Sequence, residues 1–163
     1  ESAVTTYKPA TAQGPAENVP LPVMPELAKQ ESKEGLEAFA EHWYALINYG
    51  FETGDPNPIK AISGPDCEIC LNFYRLLDNG FSEDDWIMGG ELTITSVHSN
   101  YVLTSEGRYQ VLAQMRQDRT EYRGPESVLY GTDEGFDATT VQMMEATYSN
   151  GHWFATNVVT IAE

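Results

Sequence analysis

Apolar residues recur at three and four positions from Leu36 through Phe39, Ala40, Trp43, Leu46, Ile47, Gly50 and Phe51. That spacing is the stripe of an amphipathic helix with one face turned to a core. Ser32 can cap its start with a side-chain oxygen, and Gly54 can end it in a left-handed conformation. Asp55-Pro-Asn-Pro58 forbids continuation, and Ile59 to Ile62 allow one short helical turn. A second long helix is predicted from Asp66, with Cys67, Cys70, Leu71, Tyr74 and Leu77 sharing a face and Asn79-Gly80 closing it. Ser82-Glu-Asp-Asp85 bunches three carboxylates, but an EF-hand-type calcium loop needs oxygens at alternating positions and a glycine at the sixth. Ahead of Trp86 and Ile87 the segment reads instead as a capping box that opens one helical turn.

After Trp86 the period shortens to two: Leu92 and Ile94; Tyr109, Val111, Ala113 and Met115; Val141 and Met143; then Trp153 to Ile161. These read as long strands with one buried face. Ser149-Asn-Gly-His152 is the strongest hairpin signal, because Asn-Gly tolerates the positive φ that a type I′ turn demands. Thr104-Ser-Glu-Gly107 marks a looser hairpin, and the alternation slips between Ile94 and Tyr101, where a β-bulge would bend the strand. Helices followed by an antiparallel meander predict an α+β fold, with N-terminal helices packed on a strongly bent sheet.

The first 25 residues are different in kind. They hold Pro9, Pro15, Pro20, Pro22 and Pro25 among Thr, Ala, Gln and Gly, and too few large apolar side chains to order themselves. Residues 1–25 are therefore expected to form an extended tail or stalk, with a reach of at most roughly 75 Å as polyproline II. Residues 26–163 form one domain large enough for its own core. Val19, Leu21 and Val23 alternate between prolines, so the end of the tail is expected to lie along the domain. Lys and Arg number 9 against 25 Asp and Glu, a formal charge of −16. Such a surface repels phosphate backbones, so no nucleic-acid partner is expected. No apolar run approaches the roughly 20 residues that span a bilayer.

Trp43-Tyr44 on the first helix, Phe51-Glu-Thr-Gly-Asp55 at its end, the Cys67/Cys70 pair opening the next helix, and Pro9-Ala-Thr-Ala-Gln-Gly-Pro15 with Val19-Pro20 in the tail carry a resemblance. Together they resemble a family of actinobacterial lipoproteins of unknown function. Its domain is similar to the cone-shaped fold of nuclear transport factor 2 and ketosteroid isomerase. The likeness runs from about Ala10 to the C-terminus, and the segment 123–135 has no counterpart in it. It implies a lipid anchor N-terminal to this chain, an extracytoplasmic location, and contact with the membrane through that anchor alone. It also implies an oxidising compartment, in which a Cys67–Cys70 disulfide is favoured. The spacing suits a bridge, since residues i and i+3 at a helix start lie about 5 to 6 Å apart at Cα. A redox role would need a depressed thiol pKa, which Asp66 and Glu68 oppose. A zinc site would need ligands beyond this one pair, so no metal or other cofactor is expected.

The cone implied by the resemblance would hold a pocket between the first helix and the concave sheet. Its candidate lining is Phe39, His42, Trp43, Tyr44, Ile47, His98, Met115, Met143 and Glu145, with Glu145 placed on the face of Val141 and Met143. Burial there would raise the pKa of Glu145, whereas a surface-paired Glu145 would be inert. No catalytic set emerges: neither His98 nor His152 has a nucleophile or second acid at a recognisable spacing. The expected function is a non-catalytic binding or interaction module for an unidentified protein or small molecule. The alternative is a small-molecule isomerase or dehydratase using the cone pocket, which rests on fold analogy. Arg108, Gln110, Gln114, Arg116 and Asp118 alternate with the core positions of the third strand, and so polar a face favours a monomer over a homodimer.

Overall fold

A computed structural model describes residues 5–163. Helix α1 spans Lys33–Thr53 and buries the predicted stripe against the rest of the core. The Ser32 Oγ accepts from the Gly35 N–H at 3.0 Å, and Gly54 ends the helix at φ 77°. A single turn, α2, follows at Asn57–Lys60, and α3 runs from Glu68 to Gly80. The start of α3 differs from expectation, because Cys67 is extended and caps the helix instead of belonging to it. Its buried face is Cys70, Phe73, Leu77 and Gly80, while Leu71 is exposed and Tyr74 half-buried. The phase is set by Phe73, whose ring lies against Gly50 and stacks edge-on to Phe51 at 5.5 Å. A Cβ on Gly50 would meet Phe73 Cζ at 2.5 Å, so the missing side chain is what lets α1 and α3 approach.

The strands form two antiparallel sheets. Strands β2 (Leu92–His98), β3 (Tyr109–Gln117), β6 (Phe136–Ser149) and β7 (His152–Ala162) lie in the order β2-β3-β6-β7. Strands β1 (Trp86–Gly89), β4 (Thr120–Gly124) and β5 (Val128–Asp133) form the other, in the order β1-β4-β5. The two share one chain path, since β1 continues into β2 and β3 into β4. Gly89 and Gly90, at φ 79° and 77°, turn that strand pair between the sheets. Gly89 has no alternative, because a Cβ there would lie 2.3 Å from the Arg119 carbonyl. The expected slip after Ile94 is a register shift between Ile94 and Ser96, and further shifts in β3–β6 and β6–β7 curl the larger sheet around α1. Asn150 and Gly151 take φ 54° and 81° in the predicted hairpin, with Ser149 opposite His152.

Two expectations fail in the strand half. Ser82–Asp85 makes a tight turn, closed by Asp85 N–H donating to the Ser82 carbonyl at 3.0 Å, and Trp86 and Ile87 belong to β1. Glu83 at φ 55° breaks the helical path that a capping box requires. Strand β6 has the opposite parity from the one expected: Thr140, Gln142, Met144 and Ala146 face inward. Val141, Met143 and Glu145 therefore lie on the outer face, where Met143 pairs with exposed Leu112 and Glu145 with exposed Gln110.

Asn48 fastens the sheet to α1 as a surrogate strand: its Nδ2 donates to the Leu92 carbonyl at 3.0 Å and its Oδ1 accepts from the Leu92 N–H at 2.8 Å. Glu37 does similar work for the β2–β3 loop, accepting from the Ser99 N–H at 3.0 Å and from Lys33 at 2.9 Å. Burial alone would raise the Glu37 pKa, but the hydrogen bonds from Lys33 and Ser99 and the charges of Lys33 and His98 outweigh it and hold it below the usual carboxylate range. A depressed folded pKa favours the native state above the unfolded value and loses that advantage as pH falls through the folded one. Thermal melts from pH 7 to pH 3 should therefore show a steeper acid loss for the wild type than for Glu37→Gln. Parallel acid limbs would remove Glu37 from the loop's support.

The tail does not extend freely over the described residues. Lys8 bridges Glu17 and Thr11 bridges Gly14, so residues 8–17 double back on themselves. The Thr11 carbonyl accepts from the Trp86 indole N–H at 2.9 Å, the Tyr7 hydroxyl donates to Glu52, and Met24 packs on the core. Hydrogen bonding to Glu52, with burial and the Glu52 charge adding to it, pushes the Tyr7 pKa up to about 12.

Candidate functional site

The sequence-predicted pocket residues separate into three groups. Phe39 and Met115 are fully buried core. Trp43, Tyr44 and Ile47, within little more than one turn of α1, line a cavity of about 170 Å³ between α1, α3 and the concave sheet. His42, His98, Met143 and Glu145 are not part of its wall. His42 is buried on α1, where desolvation pushes its pKa down. His98 is exposed and hydrogen-bonds Asn100 at 3.0 Å. Glu145 faces Arg108 at 3.7 Å on the outer side of the sheet, the inert of the two placements considered for it.

Most of the remaining wall comes from α3 and the sheet. Phe51 extends the α1 side, and α3 contributes Ile69, Asn72, Phe73 and Leu76. The sheet adds Leu92, Gln117, Phe136 and Gln142. Asn72 is exposed, and Ile69, Leu76, Gln117 and Phe136 are half-buried, so these five form the rim; Trp43, Tyr44, Leu92 and Gln142 form the floor. The floor is held by two side-chain hydrogen bonds and an edge-on ring contact. The Trp43 indole N–H donates to Ser63 Oγ at 2.9 Å and its ring meets Tyr44 edge-on at 4.9 Å. The Tyr44 hydroxyl donates to Gln142 Oε1 at 2.9 Å, and burial drives its pKa far upward, so it stays a neutral donor. The lining contains no carboxylate, imidazole, cation or thiol. A wider depression of about 390 Å³ lies between Glu41, Asn48 and Thr95-Ser96, with Ala45 and Ile94 on the same wall and the Glu41 carboxylate at its edge.

Cys67 and Cys70 are joined by a disulfide with Cα atoms 5.2 Å apart, and both are fully buried. The bridge sits at the N-terminus of α3, directly before Ile69 and Asn72 of the rim, and Glu68 N–H docks on Asn157 Oδ1 at 2.9 Å. The closed loop is so short that its contribution is about 1 to 2 kcal/mol. Alkylation under native, non-reducing conditions should label no thiol, and unfolding in the presence of reductant should lower the melting temperature by a few degrees without abolishing the fold. Two freely labelled thiols would contradict the bridge.

The fold and cavity define an α+β domain in which a curled antiparallel sheet encloses an apolar pocket under one long helix. The chain belongs to a family of unknown function (DUF6318), whose profile matches residues 5–159. No curated protein sequence matches it. Among solved structures it is similar to the crystal structure of the intermembrane space region of the chloroplast protein ARC6. That likeness has a TM-score of 0.52 and 10% sequence identity, over 82% of this chain and 99% of that one. At such identity it speaks to the fold alone.

Proposed function

We propose that this chain is a non-catalytic binding domain of an oxidising, extracytoplasmic compartment, which takes an apolar group into the cavity beneath α1. The observation that carries this reading is the wall itself. Aromatic and aliphatic side chains make up most of it, the polar members besides the Tyr44 hydroxyl are the three amides of Asn72, Gln117 and Gln142, and Tyr44 is held as a neutral donor. General acid–base or nucleophilic chemistry needs a titratable group in reach of the substrate, and this wall supplies none with a suitable pKa. The isomerase-type alternative keeps the analogy of the cone fold but has no candidate base in the cavity. The buried disulfide supports the compartment.

A lipid anchor N-terminal to this chain belongs to the same reading and rests on the sequence resemblance. With residues 8–17 folded back on the domain, such an anchor would hold the pocket close to the membrane instead of at the end of a long stalk. A monomer is the expected state, supported by exposed Gln110 and Arg116 on the outer face of β3; sedimentation as a dimer at micromolar concentration would overturn it.

The test uses toluene as a minimal apolar probe. A ligand that binds only the native state raises its stability by about 2.7 kcal/mol at one hundred times its Kd, which is several degrees for a domain of this size. Saturating toluene should raise the melting temperature of the wild type, and Leu76→Trp, which plugs the rim, should abolish the rise. No rise in the wild type, or an equal rise in Leu76→Trp, would refute the pocket.

A further inference from the structure

The cavity floor carries a directed donor that an apolar pocket does not need. Gln142 is 8% exposed and sits among Thr140, Met144 and Ala146 on the inward face of β6. An uncharged amide at such a position is costly unless its hydrogen bonds are satisfied. Half of it is satisfied. The Tyr44 hydroxyl, 1% exposed, has one proton to place, and it places it on Gln142 Oε1 at 2.9 Å. That bond fixes which end of the amide is which, so Nε2 and its two hydrogens turn away from Tyr44. Among the described residues no acceptor takes them. Nor is Nε2 sealed off, since no fully buried side-chain nitrogen or oxygen lacks a partner. The residue is a wall of the cavity, and the cavity is where those hydrogens have room. Gln117, the neighbouring amide, is already committed through its Nε2 to the Gly90 carbonyl at 3.0 Å.

Building on the binding reading above, we propose that the cavity selects a neutral small molecule carrying a carbonyl oxygen, with Gln142 Nε2 as the donor and Tyr44 as the group that orients it. Size and charge narrow the class. A cavity of about 150 Å³ lined by Leu, Ile and Phe holds benzene, so about 170 Å³ holds one substituted ring or a branched chain of similar bulk. A carboxylate would enter a wall without a cation, inside a chain of formal charge −16. An ammonium would find no carboxylate there. A hydrocarbon of the same shape would still fill the space but leave the Nε2 hydrogens without an acceptor, so it binds more weakly than the carbonyl compound. The fitting ligand is a ketone, aldehyde, ester or amide on a compact apolar body.

The probes are acetophenone and α-methylstyrene, which share a ring and a shape and differ in C=O against C=CH₂; benzoate and 1-phenylethylammonium test the charge rule. The proteins are the full chain and the double variant Tyr44→Phe/Gln142→Met, which removes both polar partners together and leaves no buried hydroxyl stranded. Ligand-observed NMR titration should show acetophenone binding the wild type at least about tenfold more tightly than α-methylstyrene, with both ions weaker still. In the double variant α-methylstyrene should bind undiminished and the preference should vanish. Equal affinities for the two isosteres in the wild type would overturn the selection while leaving an apolar pocket in place. A preference that survives in the double variant would remove Gln142 as its source, and binding of neither isostere would overturn this inference and the pocket together.

Discussion

Trp43→Ala should be the most damaging single substitution in the domain, with a loss of about 3 to 5 kcal/mol. The indole is fully buried, and it does more than fill volume. Its N–H reaches Ser63, and the Ser63 segment is stitched to β7: Gly64 N–H donates to the Ala155 carbonyl at 2.7 Å and Ala155 N–H to the Ile62 carbonyl at 2.9 Å. Trp43 thus ties α1 to the connection before α3 and to the last strand. Truncation opens a cavity under the pocket floor and takes away the hydrogen-bond donor to a nearly buried serine hydroxyl. At about 2 to 4 °C per kcal/mol for a chain of this size, the melting temperature should fall by about 6 to 20 °C. Trp43→Phe should fall between that variant and the wild type. A loss below about 1 kcal/mol for Trp43→Ala would show that the floor is not the centre of the core.

Deletion of residues 1–17 should have the second largest effect. A free tether would leave the melting temperature unchanged, since it buries little. The observed tail instead covers the indole N–H edge of Trp86, which is 3% exposed, and bonds to it through Thr11. Uncovering a large apolar side chain costs about 1.5 to 3 kcal/mol, partly offset by the freedom the tail regains. A chain starting at Asn18 should therefore melt about 3 to 6 °C lower than the full chain, and its tryptophan emission should shift to the red. An unchanged melt with unchanged emission would restore the stalk and place the domain boundary near residue 25.

Helix α1 was legible from cap to cap because amphipathic period, Ser32 and Gly54 all agree. The inward set Val111, Ala113 and Met115 of β3 was legible for the same reason, with Gln110, Gln114 and Arg116 on the opposite face and Leu112 the apolar exception there. Strand β6 was not, because Met143-Met144 makes either parity apolar and hydropathy then favours Val141 over Gln142. The true register is decided by a distant partner: the buried Tyr44 hydroxyl needs an acceptor, and Gln142 provides it. The same logic explains why part of the pocket was missed. Trp43, Tyr44 and Ile47 announce themselves on one helix, whereas Asn72, Gln117 and Gln142 are unremarkable amides until the fold brings them together. The β1-β4-β5 sheet escaped notice because its strands are short, β5 is almost wholly exposed, and the connection from β4 to β5 carries Pro125 with Glu126 and Ser127 at positive φ. One signal was available for the α1–α3 contact: Gly50 interrupts the large residues of the apolar stripe, at the point where Phe73 fills the gap.

A ligand seated between α1, α3 and the concave sheet must perturb the methyl groups of the cavity wall. Methyl chemical-shift mapping of the full chain with acetophenone tests that placement most directly. Shifts are expected at Ile47, Ile69, Leu76 and Leu92, which line the cavity, with Leu112 on the outer face of β3 and Val128 and Leu129 on β5 unmoved. Shifts confined to Leu112, Val128 and Leu129, with the cavity methyls silent, would contradict it.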